Sequence, residues 1–314
     1  MNKTRTELLP LAWAVEAIGD PWSFLILQEA FFGVRRFEEF QRNLGIARKT
    51  LADRLNRLHA HGLLKRTVYE AHPPRHEYRL TPPSLDSYPY ALCLMRWGDK
   101  WLSAPDGPPV LLYHKSCRHR LRPLAVCAAC DSEILAEQVS ISPITGTVSV
   151  TLSGTQVRYS SRPELYTAGR PSSVSRSVAT IGDRWGFFVL WLSLAGITRF
   201  EHFHHILGIA RTILASRLER MVELGLIERR LYQERPKRYD YCPTDKGHSL
   251  CPVLLAMFDW GLRWQGGATT DRAHVLHKPC GGRLQVNVVC GHCREVVKPR
   301  DVEIGASRRA SKNE

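Results

Sequence analysis

Apolar residues recur at helical spacing in two places that are near copies of one another. Leu51, Leu55 and Leu58 stand four and then three residues apart, and Leu214, Leu218 and Met221 repeat the pattern. That spacing is one face of an amphipathic helix. The opposite face carries Lys49, Asp53, Arg54, Asn56 and Arg57 in the first case, and Ser216, Arg217 and Arg220 in the second. A shorter helix beginning at Phe37, or at Phe200, precedes each, separated from it by a turn around Leu-Gly-Ile-Ala. Gly62 and Gly225 then stop the second helix, where a residue just past the last turn often needs positive φ. The pattern predicts a helix-turn-helix, twice.

The repeat is longer than this motif. It aligns without a gap from Ile18 to about Cys130 at a constant offset, with Phe37 falling on Phe200, and about half of positions 18–66 are identical in the second copy. Each copy opens with an apolar helix, Trp22–Phe31 and Trp185–Leu194, which Asp20 or Asp183 is placed to cap. After the helix-turn-helix comes a two-stranded pattern, Leu63–Glu70 with Glu77–Leu80, and Leu226–Gln233 with Tyr239–Cys242. The turns between are basic and contain proline, as in the wing of a winged helix; a surface hairpin with solvated charges is the bland alternative. Helices over Ser84–Leu102 and Lys246–Trp264 follow, apolar on a wide face. Such a face serves either association or plain core packing. From Asp131 to Pro171 the composition shifts to Ser, Thr, Val and Gly, which reads as a few short strands and a linker.

Cysteine spacing adds chemistry. His114, Cys117, Cys127 and Cys130 form H-x2-C-x9-C-x2-C, and His277, Cys280, Cys290 and Cys293 form it again. One imidazole and three thiolates suit tetrahedral zinc, in a closed set that is structural rather than catalytic, at about two ions per chain. The interval between the pairs suits a small hairpin. Buried reduced thiols and a redox pair are the competing readings. Cys93, Cys242 and Cys251 have no cysteine counterpart in the other copy. His72 and His76 lie in the first wing turn, within reach of phosphate or simply solvated.

The formal charge of +14 and pI near 9.6 suit a nucleic-acid partner or an anionic membrane surface. No stretch approaches the roughly 18 apolar residues of a membrane span, and Met1–Pro10 lacks the apolar core of a signal peptide. The expectation is a cytoplasmic, nucleoid-associated chain. No nucleophile–base set or phosphate-cradling glycine loop is present, so an enzyme is not expected.

Seven motifs run in order in each copy: Ile-Gly-Asp-x-Trp, Arg-Phe-x-x-Phe, Leu-Gly-Ile-Ala, Leu-x-x-Arg-Leu, Gly-Leu, Pro-x-Arg-x-x-Tyr-x-x-Thr and Trp-Gly-x-x-Trp. They start at Ile18, Arg36, Leu44, Leu51, Gly62, Pro73 and Trp97, and at Ile181, Arg199, Leu207, Leu214, Gly225, Pro236 and Trp260. In this each copy resembles the HxlR family of bacterial transcriptional regulators, related to the MarR type. The resemblance implies a winged helix-turn-helix that dimerises through its terminal helices and binds a palindromic operator. Many members carry a sensing cysteine just before the first helix, where this chain has Leu9, Pro10 and Leu11, and Ser172, Ser173 and Val174. Arg184 replaces Pro21, and the residues between the paired tryptophans differ: Asp99-Lys100 against Leu262-Arg263.

The expected fold is α+β, mainly α: two tandem winged helix-turn-helix domains, each followed by a small zinc-ribbon-like Cys/His module. The boundaries are 10–104 and 174–267 for the winged helices, 110–159 and 273–304 for the modules, 160–173 for a linker and 305–314 for a disordered tail. The partner is double-stranded DNA, met by an intramolecular pseudo-dimer or by a homodimer, with no membrane. In a helix-turn-helix the early residues of the second helix meet base edges, here Arg48, Lys49 and Asp53, and Arg211, Thr212 and Ser216. Arg54, Arg57, Arg217 and Arg220 are expected on phosphates, as are Arg75, Lys237 and Arg238 at the wing tips, giving register without sequence information. The function read from this is a sequence-specific repressor on an imperfect palindrome. The alternatives are a metal- or redox-responsive sensor using the Cys/His sets, and a protein-interaction module with non-specific DNA binding.

Overall fold

The structure, a computed structural model, describes residues 8–72, 74–102, 107–142, 172–181, 184–265 and 275–305. The cap expected at Asp183, the strands and linker expected over 143–171, and the tail from 306 lie outside the described residues.

In chain order the first copy runs α1 (Leu9–Ile18), α2 (Pro21–Phe31), α3 (Phe37–Leu44), α4 (Arg48–Ala60), β1 (Leu64–Glu70), β2 (Arg75–Leu80), α5 (Pro82–Asp86) and α6 (Tyr88–Trp101). Then come β3 (Leu111–His114), β4 (Pro123–Cys127) and β5 (Val139–Ile141). The second copy repeats the order with α7 (Ser173–Ile181), α8 (Arg184–Leu194), α9 (Phe200–Leu207), α10 (Arg211–Glu223), β6 (Ile227–Gln233), β7 (Arg238–Pro243), α11 (Asp245–His248) and α12 (Cys251–Trp264). It ends with β8 (Val275–His277), β9 (Val286–Cys290) and β10 (Val302–Gly305).

Local chemistry explains these elements. Asp20 caps α2 as its position predicts, its Oδ2 accepting from the Ser23 N–H at 2.9 Å, and Pro21 supplies a preset φ at the first helical position. Gly62 and Gly225 take φ of +69° and +67° after α4 and α10. The stripe Leu51, Leu55 and Leu58 is fully buried, as are Leu214 and Leu218, with Met221 at 1% exposure. Each such side chain contributes roughly 1.5–3 kcal/mol by leaving water. β1 pairs with β2, and β6 with β7, antiparallel, each with a bulge at the equivalent place, Val68/Glu70 and Leu231/Gln233. Single bridges from Arg36 to Glu77 and from Arg199 to Asp240 add a short third strand to each wing.

These residues fall into two compact units, and neither is one sequence copy. The N-unit takes described residues of Ala17–Ala125, Arg158–Gly182 and Asn287–Glu314; the C-unit takes those of Met1–Glu16, Val126–Val157 and Asp183–Val286. The N-unit therefore holds the first winged helix with α7, β10 and the tail end of the second copy. The C-unit holds the second winged helix with most of α1 and with β5.

Exchange of the amino-terminal helices gives α6 and α12 their partners. In the C-unit Trp13 of α1 lies against Trp260 of α12, ring centroids 4.8 Å apart. A methyl group at Gly261 would overlap the Pro10 carbonyl oxygen. In the N-unit α7 meets α6 at Gly98, where a methyl group would overlap the Ser173 carbonyl and Ser177 Oγ. Ser177 Oγ donates to the Leu94 carbonyl at 2.8 Å, Ser172 Oγ donates to Gln28 Oε1 at 3.1 Å, and Ser173 Oγ donates to Asp99. The wide apolar faces of α6 and α12 are thus covered by helices from the other copy. Neither α1 nor α7 was expected from the apolar pattern. The single helices expected over Ser84–Leu102 and Lys246–Trp264 are each broken in two, α5–α6 and α11–α12. Among the described residues no helix is long and apolar enough to cross a membrane.

Candidate nucleic-acid interface and Cys/His centres

α4 and α10 present their first turns outward. Arg48, Lys49 and Asp53 are exposed, as are Arg211, Thr212 and Ser216. Each first-turn arginine lies over the first aromatic ring of the preceding helix: Arg48 over Phe37 at 4.9 Å, Arg211 over Phe200 at 5.3 Å. Ring contact holds the guanidinium at the amino-terminal end of the helix without neutralising it. Arg211 differs in being forked onto Glu201, with Nη1 donating to Oε2 at 2.9 Å. That pair is exposed on both sides, 56% and 64%, so it is a weak tie that phosphate or a base can displace.

The wings carry Arg75, Lys237 and Arg238 on exposed tips, Arg75 beside Glu70 at 3.3 Å. His72 is exposed and His76 half-buried. Both wings expose an apolar pair, Val68 with Tyr69 and Leu231 with Tyr232, and Arg36 and Arg199 stack on the two tyrosines at 4.9 and 4.8 Å. That pair was not singled out in the sequence, where it reads as ordinary strand composition. Arg57 and Arg217 are half-buried; Arg220 is exposed and 3.4 Å from Glu223.

Arg54 does not face outward. Its Nε donates to Asp20 Oδ2 at 2.6 Å, with side chains 16% and 3% exposed, and the same oxygen accepts from the Ser23 N–H and hydroxyl. Arg54, expected on phosphate, here ties the flank of α4 to the capped end of α2.

The Cys/His residues converge, but not in the sets read along the chain. The sequence order grouped His114 and Cys117 with Cys127 and Cys130. The fold gathers His114, Cys117, Cys290 and Cys293 in the N-unit, and Cys127, Cys130, His277 and Cys280 in the C-unit, each set with ligand atoms within 4.8 Å of one another. The hairpin expected between the pairs is absent. β4 and β9 occupy that interval as extended strands, which carry the second pair away from the first.

Each ligand pair has the same local build. The first ligand ends a strand; the residue before it bridges the residue seven further on: Tyr113 to Arg120, Val126 to Glu133, Leu276 to Arg283, Val289 to Val296. The residue after the second ligand is left-handed: Arg118 (φ 57°), Asp131 (54°), Gly281 (67°) and Arg294 (65°). Its N–H returns to the carbonyl of the first ligand at 2.8–2.9 Å in all four. Arg118, Asp131 and Arg294 are the non-glycine residues with positive φ among those described. Backbone strain among the described residues is thus concentrated at three of the four knuckles, the fourth using Gly281, which takes this φ freely.

The donor sets fit a tetrahedral ion. Zinc–sulfur and zinc–nitrogen bonds of about 2.3 and 2.0–2.1 Å imply tetrahedron edges of about 3.8 Å between sulfurs and 3.5 Å from sulfur to nitrogen. The observed edges are 3.8 Å (Cys117–Cys290) and 3.9 Å (Cys127–Cys280), with sulfur-to-Nδ1 distances of 3.3–3.5 Å at both histidines. His114 and His277 are buried, which holds their rings in place. Within the knuckles the thiols shift in both directions, Cys130 and Cys290 down, Cys127 and Cys293 up. The Ser132 N–H lowers the Cys130 pKa. Burial works against the Cys290 thiolate, but the N–H groups of Cys293 and His292 and the Cys117 thiol outweigh it and lower the pKa. Burial pushes the Cys127 thiol up.

Known proteins share the helix-turn-helix. An uncharacterized HTH-type transcriptional regulator of Mycobacterium tuberculosis is 47% identical over 130 residues, covering 41% of this chain and 82% of its own. Another from a Synechocystis strain is 36% identical over 96 residues, 30% of this chain and 71% of its own. The solved structure of the redox regulator HypR in its reduced form is 27% identical, covers 30% of this chain and 95% of that one, and superposes with a TM-score of 0.29. The family model of the HxlR-like helix-turn-helix matches residues 17–106 and 180–268, together more than half of the chain. The chain belongs to the HxlR-like helix-turn-helix family, with the domain present twice.

Proposed function

We propose that this protein is a transcriptional regulator, a repressor that binds double-stranded DNA sequence-specifically through both helix-turn-helix units. The observation that carries the reading is the pair of outward-facing first turns on α4 and α10, each with an arginine braced on an aromatic ring and a wing beside it. The operator is an imperfect palindrome whose halves differ where Lys49 and Asp53 give way to Thr212 and Ser216. Arginine forks onto guanine, and threonine or serine are less selective. Arg57, Arg217, Arg220, Arg75, Lys237 and Arg238 hold phosphates. Each unit draws its amino-terminal helix from the other copy, which favours one chain acting as a covalent pseudo-dimer. Zinc at the two Cys/His centres would join chain segments far apart in sequence; its role is to cross-link the fold, with four protein ligands and no position for substrate.

A second reading, a metal- or thiol-responsive sensor, is favoured by Cys130 and Cys280, which are exposed in the C-unit centre. Binding of the purified chain to genomic DNA fragments across a salt series, with zinc content measured on the same sample, tests the first. Tight binding to a few fragments, falling steeply with salt, with about two zinc per chain, is the expected result. Equal, weak binding to all fragments would leave a general DNA coater. DNA release on chelation or mild oxidation, with the fold retained, would favour the sensor.

A further inference from the structure

The N-unit centre carries something its counterpart lacks. His119 and His292 stand on the two knuckles that meet there, exposed, with rings stacked at 3.4 Å between centroids and 13° between planes. With Cys117 they form a second convergent group, one ligand atom from each lying within 4.8 Å of the others. The equivalent positions in the C-unit are Gly282 and Ala129, so the group is built once.

The hydrogen bonding of His119 is that of a ligand. Its Nδ1 lies 2.7 Å from the Cys117 carbonyl, an acceptor only, so Nδ1 carries the proton and Nε2 keeps its lone pair. Metal-bound histidines commonly donate their other N–H to a backbone carbonyl in this way, which fixes the tautomer and makes the free nitrogen more basic. The knuckle backbones fix where both rings start: Cys117 is followed by left-handed Arg118, and His292 lies inside the Cys290–Cys293 turn. One nitrogen of each ring and the Cys117 sulfur thus lie within 4.8 Å of one another.

We infer that His119, His292 and the Cys117 thiolate form an accessory site for a borderline divalent transition ion, such as Zn2+, Co2+ or Ni2+, beside the tetrahedral centre of the N-unit. Imidazole nitrogen with one thiolate suits this class and not calcium or magnesium. Cys117 serves both sites, its sulfur bridging the two ions. Solvent completes the coordination of the accessory ion, which therefore binds more weakly and exchanges more readily than a closed set. The inference rests on the structural-metal reading for the neighbouring centre.

The test uses the full chain, stripped of metal and titrated with Co2+ by absorption and with Zn2+ by calorimetry. The expected result is two equivalents with strong thiolate-to-cobalt bands, then one further equivalent at least tenfold weaker. Combined His119→Ala and His292→Ala removes only the last, leaving the tetrahedral bands unchanged, which also reports that the fold survives. Conversely, Gly282→His with Ala129→His adds an equivalent in the C-unit, since a side chain at Gly282 meets nothing closer than Cys280 Sγ at 3.6 Å. Two tetrahedral equivalents and no third, or a third that survives loss of both histidines, overturns the inference alone. Fewer than two tetrahedral equivalents overturns the structural-metal reading, and this one with it when no histidine-dependent equivalent remains.

Discussion

α4 and α10 are the same helix buried and different helices exposed. Inward, Leu51, Leu55 and Leu58 match Leu214, Leu218 and Met221, and all are out of water. Outward, charged Lys49 and Asp53 stand where the second copy has Thr212 and Ser216, and Thr50 is replaced by Ile213, 41% exposed. Duplication preserved what packing requires, together with the arginine pairs Arg48/Arg211, Arg54/Arg217 and Arg57/Arg220, and left other outward positions to diverge. If that is right, changes to the buried face cost the two copies equally, and changes to the exposed face do not.

The largest effect belongs to the core. Leu55→Ala and Leu218→Ala each remove a fully buried side chain, and each should cost about 2–5 kcal/mol by transfer and cavity terms together. Chemical denaturation of each variant measures it. Costs differing by more than about 2 kcal/mol would show that the two scaffolds are not equivalent.

Next come two ion pairs, one shielded and one exposed, at positions that are not counterparts of one another. Asp20 caps α2 and receives Arg54 with both side chains largely shielded, so Asp20→Ala should destabilise the N-unit by about 2–3 kcal/mol, part from the lost cap and part from a stranded guanidinium. Glu201→Ala breaks an exposed pair and should cost under about 1 kcal/mol. A double-mutant cycle on each pair separates coupling from side effects. Near-zero coupling between Asp20 and Arg54 would return Arg54 to the phosphate-binding group.

Much of this was legible from residue order, because it is local. Helix spacing, the Asp20 cap, the positive-φ Gly62 and Gly225, and the wing strands all depend on neighbours within a few residues. The eight metal-ligand candidates were legible too, since each pair is a knuckle that folds on its own hydrogen bonds. Their grouping was not: which knuckle meets which is decided by strands that carry the chain away, and nothing in H-x2-C-x9-C-x2-C records that. α7 escaped for another reason. Ser172, Ser173, Ser175 and Ser177 are 0–3% exposed and share the packed side with Val174, Val178 and Ile181, the serines approaching Gly98 closely and hydrogen-bonding across the contact. A search for apolar periodicity has only those three apolar positions to find, at helical spacing but among serines that read as linker. α1 fails the same search from the opposite side, being apolar nearly all round.

At the DNA the proposed function sets the scale. Arg48→Ala and Arg211→Ala should each weaken binding by about 1–3 kcal/mol and relax base preference at one position only. The positions should lie in opposite halves of the operator. Selection of preferred sequences by each variant would show it; relaxation of the same half by both would mean that the two helices do not read separate half-sites. Thr212→Lys with Ser216→Asp sharpens the point, since it gives α10 the Lys49 and Asp53 of α4 and should make the selected halves more alike.

The smallest effect should come from the wings, and there the copies should agree again. Arg75, Lys237 and Arg238 are exposed on turns that follow equivalent bulges, so under the proposed function they would meet the DNA backbone from similar places. Phosphate contacts carry no base information, so neutralising one weakens binding to every sequence about equally and lowers the salt slope by about 1. Arg75 is the weaker case, because Glu70 at 3.3 Å already offsets part of its charge. Lys237→Ala should therefore change the slope more than Arg75→Ala, measured as affinity against salt concentration on one fragment. A wing variant that altered sequence preference instead would place that side chain on a base edge, and would make the wings, like the helices, a surface on which the two copies have diverged.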